Sequence, residues 1–216
     1  MGYYEVTKPP PGGGGLVVYE RRIMTRFFTS DHHFGHANII NLANRPFNTV
    51  NHMNEVMIEK WNAVVKPTDT VYHLGDFALG SIADTLPLAA RLNGFKVLIV
   101  GNHDRIFKGE SKKRIKRFDP EYRKVFQTIW KNGGALTISG INVLLSHFPY
   151  DSDSHGQDRY KEYRFKDKGI PVIHGHVHQK HQVSFSERGT LQVHIGVDAW
   201  NFEPVPQETI YELIKG

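Results

Sequence analysis

The chain has no cysteine among its 216 residues. That excludes a disulfide framework and any thiolate metal site, and it is compatible with a reducing compartment, so a cytoplasmic location is expected. No apolar run approaches the roughly 18 residues needed to cross a bilayer, so no membrane partner is expected. The N-terminal stretch Lys8-Pro9-Pro10-Pro11-Gly12-Gly13-Gly14-Gly15 stands where a secretory signal would carry its apolar core, which argues against export. Charge of one sign is only mildly in excess, with 27 Lys/Arg against 22 Asp/Glu and a formal net charge of +5. Such a balance favours anionic partners weakly. Apolar content of 39% and aromatic content of 12% are those of a globular domain. What is abundant is histidine. There are 13, where a chain of this size carries about five (roughly 2% usage).

Residues 1–24 read as an N-terminal extension, because the Pro/Gly stretch holds neither a helix nor a central strand. Residues 25–216 read as one domain. Arg26 to Ser30 is a strand-like run, followed by a helical pattern from about Val50 to Val65 with Val50, Met53, Met57, Trp61 and Val64 at helical spacing. Thr70 to Leu74 reads as a second strand, Asp84 to Leu92 as a helix and Lys96 to Val100 as a third strand. This alternation predicts a largely parallel, buried sheet. Ala135 to Leu145 then reads as two strands about a tight Ser-Gly turn, and Val172-Ile173 and Leu191 to Val197 add further strands. The fold expected is α/β, two packed sheets with helices outside.

Two long connections interrupt this plan. Arg105 to Lys124 holds nine Lys/Arg against three acids. It reads either as a solvated charged helix and linker or as a basic rim steering phosphates. Asp151 to Lys168 is polar, with Tyr160 and Tyr163, and reads either as a substrate-shaping loop or as plain surface.

The histidine excess falls in five fragments: Asp31-His32-His33, Gly75-Asp76, Gly101-Asn102-His103-Asp104, Ser146-His147 and Gly175-His176-Val177-His178. Each follows or ends a β-prone apolar run, so the donor residues fall at strand ends. Several strand ends bringing oxygen and nitrogen donors together are what a pair of divalent cations requires. Asp31 and His33 lie two apart, as do His176 and His178, which on an extended segment puts each pair on one side. Gly175 lets the backbone come close.

In order and spelling the fragments resemble the calcineurin-like metallophosphoesterases, whose pattern is D-x-H, G-D, G-N-H-D/E, H and G-H-x-H. Phe34-Gly35-His36-Ala37-Asn38-Ile39-Ile40 and Arg45-Pro46-Phe47 are similar to runs in small bacterial and bacteriophage members, and Gly196 to Trp200 looks like their closing strand. The resemblance implies a four-layer αββα sandwich. It also implies a first metal on Asp31, His33 and His178, a second on Asn102, His147 and His176, and Asp76 bridging them. A nitrogen and oxygen donor set suits manganese, iron or zinc, with manganese favoured in vitro. Asp31-His32-His33 also spells the signature of the unrelated DHH phosphoesterases, but G-N-H-D and G-H-V-H do not belong to that family.

The activity implied is phosphate-ester hydrolysis by metal-held hydroxide. Diesters are preferred and small or cyclic nucleotides, 2′,3′ forms especially, are the leading substrates. His103, next to a ligand, is the candidate acid–base and substrate-binding group. Asp76 and Asn102 complete the catalytic and substrate-binding assignments. His36 is a softer candidate for binding a substrate phosphate. The aspartate that orients such a histidine in phosphoprotein phosphatases is missing after Gly75-Asp76, which leaves Asp104 as a candidate for that task. His73 and His174 read as outer or core residues. The rival functions are a nuclease using the basic segment, with nucleic acid as partner, and a non-catalytic phosphate-ester binding protein.

Overall fold

A computed structural model describes residues 24–153 and 159–216. The proposed extension, apart from Met24, lies outside the described residues. Two five-stranded mixed sheets face each other, with helices flanking them. The first sheet has the order β10-β1-β2-β3-β4, formed by Val205–Pro206, Arg26–Thr29, Thr70–His73, Phe95–Ile99 and Thr128–Trp130. Its four members β1 to β4 run parallel, and β10 closes one edge antiparallel to β1. The second sheet has the order β5-β6-β7-β9-β8, formed by Gly134–Ile138, Ile141–Leu145, Val172–His174, Leu191–His194 and Val183–Phe185. Here β6, β7 and β9 are parallel and the two outer strands antiparallel.

Alternation along the strands divides the core in two. Phe28, Leu74, Val97 and Ile99 point between the sheets and meet Ile138, Val143, Leu145, Ile173 and Val193. Phe27, Val71 and Leu98 point the other way, onto Met53, Met57 and Trp61 of helix α2 (Val50–Val64). That helix starts where Thr49 caps it, its hydroxyl accepting from the His52 amide at 3.2 Å, and stops just ahead of Pro67. α1 (Ile39–Leu42) and α3 (Ile82–Thr85) are single turns, and α5 (Gln207–Ile214) buries Ile210 and Ile214 beside β1 and β9.

Two sequence expectations are corrected and one choice between readings is made. The helix expected over Asp84 to Leu92 is α3 followed by a 3₁₀ stretch, Leu86–Arg91, with Pro87 near its start; proline has no amide to continue the α-helical ladder. The basic connection does contain the charged helix offered as one of its readings, α4 (Lys112–Val125), capped by the Ser111 hydroxyl. The strand expected to reach Val197 ends at His194. Gly196 instead bridges Ser30 of the first sheet, and Val197–Ala199 form a 3₁₀ turn.

That bridge positions the site. The carboxyl ends of β1, β2 and β3 and those of β6 and β7 release their chains at one rim, where Ser30 is tied to both sheets. Its hydroxyl donates to Leu74 O at 2.9 Å and its carbonyl accepts from the Val197 amide at 3.1 Å.

Candidate metal centre

Asp31, His33, Asp76, His147 and His176 are buried at this rim, His178 nearly so, and Asn102 is partly open. Their backbones are unusual. Asp31 (φ 61°), His33 (φ 53°), Asp76 (φ 55°), His176 (φ 73°) and His178 (φ 51°) all occupy the left-handed region. The two-residue spacing therefore does not work as extended strand, as the sequence suggested. Each D-x-H or H-x-H unit folds through two left-handed residues, and the middle residue turns inward. His32 packs on Trp61, Phe34 and His73, its Nδ1 3.0 Å from His73 Nε2. Single left-handed residues cost on the order of 1 kcal/mol or more each and cluster at functional sites. The turns are held by backbone hydrogen bonds between loops: Asp31 N to Gly75 O and His33 N to Asp76 O, both 3.0 Å. A β-carbon on Gly75 would lie 2.5 Å from the Gly101 nitrogen, and one on Gly175 would lie 2.1 Å from Ser30 Oγ, so these glycines let the loops touch.

The donor atoms form two overlapping groups. Those of Asp31, His33 and His178 lie within 4.8 Å of one another, and so do those of Asp31, Asp76 and His147. Asn102 Oδ1 extends the second group, at 3.0 Å from both His147 Nε2 and His176 Nδ1. Asp76 Oδ2 stands 3.5 Å from His33 Nε2 on one side and 3.5 Å from His147 Nε2 on the other, so one oxygen faces both groups. Asp31 also joins both groups. Two buried atoms test whether the donors fit a metal: Asp31 Oδ1 and His33 Nε2 have no hydrogen-bond partner among the described residues. Buried polar atoms left bare are costly, and here they point among nitrogen and oxygen donors with no sulfur. The set fits divalent cations.

Electrostatics favour the ligating forms of His33, His176 and Asp76, whereas His147 would have to give up a proton to ligate. Burial holds His33 well below the usual imidazole range, and burial together with His147 takes His176 down to about 3, so both are neutral bases. Burial opposes ionisation of Asp76, but facing His147, with His103 and His33, keeps it well below the usual carboxylate range. His147 is correspondingly pushed up to about 9, burial being outweighed by Asp76; its Nδ1 donates to Leu74 O at 2.7 Å, leaving Nε2 toward the centre.

His103 is the exposed member, its side chain 44% accessible at the mouth. Its amide donates to Asp76 Oδ1 at 2.8 Å, and its ring Nε2 is 4.0 Å from Asp76 Oδ2. The suggestion that Asp104 orients this ring is corrected. Asp104 is fully buried beneath the turn and accepts from the amides of Gly101 (2.8 Å), Asp76 (3.0 Å) and Phe77 (3.2 Å). It builds the turn. His36 lies against His33, Nδ1 to Nδ1 3.3 Å, with its ring 6.5 Å from that of His103. His73 and His174 are buried, as expected for outer residues.

Sequence reasoning missed three residues. The Asp198 carboxylate accepts from His178 Nδ1 at 2.9 Å and from Arg45 Nε and Nη2 at 2.9 and 3.0 Å. Arg45 also donates to the carbonyls of His32 (2.9 Å) and Asp31 (2.7 Å), so one buried ion pair fixes both the D-x-H turn and the tautomer of His178. Asp153 places an oxygen 3.3 Å from His176 Nε2. The available signal was that Arg45 and Asp198 each sit in a run already singled out, with opposite charges and no task.

Residues 24–210 match the calcineurin-like phosphoesterase superfamily domain, and the chain belongs to that family of metallophosphoesterase hydrolases. It is 31% identical to the Gene 66 protein of Mycobacterium phage L5, over 88% of this chain and 93% of that protein. It is also 31% identical to the uncharacterized protein MJ1445 of Methanocaldococcus jannaschii, over 88% and 90% respectively. A solved protein of unknown function from Aquifex aeolicus superposes with a TM-score of 0.66 at 27% identity, covering 89% of this chain and all of that one. These relatives fit the small bacterial and phage subgroup. No helix among the described residues is long and apolar enough to cross a membrane.

Proposed function

We propose that this protein is a binuclear phosphodiesterase acting on small or cyclic nucleotides, 2′,3′-cyclic forms foremost. The observation that carries the diester preference is how the cations around the centre are used. Arg45 is spent on Asp198 and two carbonyls, and Arg159 and Arg164 lie against Asp153. A monoester dianion rewards a further fixed cation beside the phosphoryl group; a diester monoanion does not need one. His103 is exposed at the mouth, and an open mouth suits a phosphate that carries two ester substituents.

Asp31, His33 and His178 would hold one ion and Asn102, His147 and His176 the other, with Asp76 between them; manganese is the favoured metal in vitro. When bound, such ions supply Lewis acidity and acidify water. The chain's own groups do the rest. Asp76 Oδ1 fixes the His103 backbone, so the His103 ring stands over the centre and gives its proton to the leaving oxygen. With His33 Nε2 ligating, its Nδ1–H donates to His36 Nδ1. The Nε2–H of His36 is then available to a phosphoryl oxygen. Asp198 and Asp153 hold the two histidines of the H-x-H unit in orientation.

The test is kcat/KM for bis-nitrophenyl phosphate against nitrophenyl phosphate with Mn²⁺ at matched pH, followed by 2′,3′- and 3′,5′-cyclic nucleotides. A diester advantage is expected. A tenfold monoester advantage, about 1.4 kcal/mol of transition-state preference, overturns the reading.

A further inference from the structure

Charge on this chain is concentrated in one place. Residues 105–117 contain Arg105, Lys108, Lys112, Lys113, Arg114, Lys116 and Arg117 against a single acid, Glu110, for a net +6. The whole chain carries +5, so the remaining residues together are slightly negative. The segment begins directly after the metal-site turn, and it is pinned there. Tyr122 of α4 hydrogen-bonds Asp104 Oδ1 at 3.4 Å and accepts from the Arg105 amide at 3.1 Å.

The two halves of α4 differ. Toward its C-terminus the cations are neutralised, Arg123 by Asp119 and Lys124 by Glu121, and Asp119 also holds Lys131 beyond the helix. Toward its N-terminus, Lys112, Lys113, Lys116 and Arg117 are exposed, and among the described residues no acid pairs with them or with Lys108. The first turn holds no acidic residue. Cations there oppose the helix dipole, so stability of the fold does not account for them.

Aromatic rings connect this surface to the centre. The Lys108 ammonium lies 5.1 Å over the Tyr163 ring, which packs edge-on against Phe107 at 4.7 Å. Phe107 meets Tyr160, and Tyr160 stacks on Phe148 and lies 5.6 Å from the His176 ring. Tyr160 and Tyr163 are both partly exposed. A basic track interleaved with aromatic rings is the chemistry that takes single-stranded nucleic acid, phosphates on the cations and bases on the rings.

We propose that the N-terminal half of α4, with Lys108 and Tyr163, docks a single strand of nucleic acid so that a phosphodiester of that strand reaches the metal centre. This rests on the phosphodiesterase reading of the centre but not on its small-nucleotide substrate, and takes the basic segment in the sense of the nuclease reading.

The experiment measures binding of a fluorescent 12-nucleotide phosphorothioate strand to the Mn²⁺-loaded full chain from 50 to 300 mM salt. The same measurement is made on K112E/K113E/K116E and K112Q/K113Q/K116Q, with bis-nitrophenyl phosphate turnover recorded for all three proteins. A single strand contributes a log–log salt slope of about −0.7 per neutralised phosphate, so five cations give about −3.5 and either triple variant loses about 2 of that. Affinity at 50 mM salt should fall at least tenfold, with small-diester kcat/KM within twofold of wild type and Tm not lowered. An unchanged slope in the variants overturns the proposal. So does equal competition by polyglutamate of matched charge or by a duplex of matched length, which would point to an acidic protein or to double-stranded DNA. Strand binding that is lost in the variants supports the surface even if no protein turns over the small diester; that outcome would refute the phosphodiesterase reading instead.

Discussion

Replacing Asp198 by alanine is the sharpest test of how the centre is supported. The Arg45 and Asp198 side chains are both fully buried, with the guanidinium forked onto the carboxylate at 2.9 and 3.0 Å. Removing the carboxylate strands a buried cation, a change that costs about 3–5 kcal/mol. For a chain of this size that is a fall in Tm of about 6–20 °C, at roughly 2–4 °C per kcal/mol. His178 also loses the acceptor for its Nδ1, and loss of such an outer partner weakens metal affinity about 10–100-fold. The two effects separate by assay. Urea unfolding in chelator reads the ion pair alone, and isothermal titration of the metal-free protein reads affinity. The double variant R45M/D198A should be more stable than D198A, because the unpaired charge has gone, although the carbonyls of Asp31 and His32 then lack their donor. D198A losing under 1 kcal/mol with unchanged metal affinity would refute the reasoning, and so would a double variant that is less stable than the single.

Asp76→Ala should lower metal content from two ions toward one or none and abolish turnover, since one carboxylate oxygen faces both histidine groups; elemental analysis finding one tightly held ion in active wild type rejects the binuclear arrangement. His103→Ala should retain its metals and lose about 10²-fold or more in kcat, more for alkoxide than for nitrophenolate leaving groups; equal losses would reassign the ring to stabilising phosphoryl oxygens. Gly75→Ala should fail to accumulate as folded protein or lose metal, because the added carbon meets backbone at 2.5 Å; normal far-UV dichroism with full metal content would show that the loops move apart freely.

Much of the fold was legible because its causes are local. Met53, Met57 and Trp61 repeat at helical spacing and are the buried face of α2. Thr70 to His73 and Phe95 to Ile99 are short apolar runs that close as central parallel strands. The β5–β6 hairpin follows from Ser139-Gly140, both at positive φ. The charged helix offered as one reading of the basic segment has its signal in Ile115, Phe118, Tyr122 and Val125, which share one face behind the Ser111 cap, while the density of charge hid its bounds. The candidate donors could be picked out because few side-chain types ligate metals, and the fold brings them to one rim. Their supports could not be. Arg45 and Asp198 are 153 positions apart, and no local pattern marks two such residues as partners. Nor did the spacing of Asp31 and His33 reveal their left-handed backbone, because extended and doubly kinked segments both place residues i and i+2 together.

That last ambiguity bears on why the centre is built as it is. An extended D-x-H would present its donors along an open strand edge. The kinked form instead drives His32 into the core against Trp61 and His73 and lifts Asp31 and His33 over the rim. Five left-handed donors together imply several kcal/mol of local strain. The bonds that offset it are the ones that join separate loops: Asp31 to Gly75, His33 to Asp76, the Asp31 carboxylate to the His176 amide at 3.0 Å, and Arg45 beneath the whole turn. Each loop is therefore held in its strained shape by another loop that also carries candidate donors. The same bonds bring the buried Asp31 Oδ1 and His33 Nε2, which have no hydrogen-bond partner among the described residues, to the place where a cation would satisfy them.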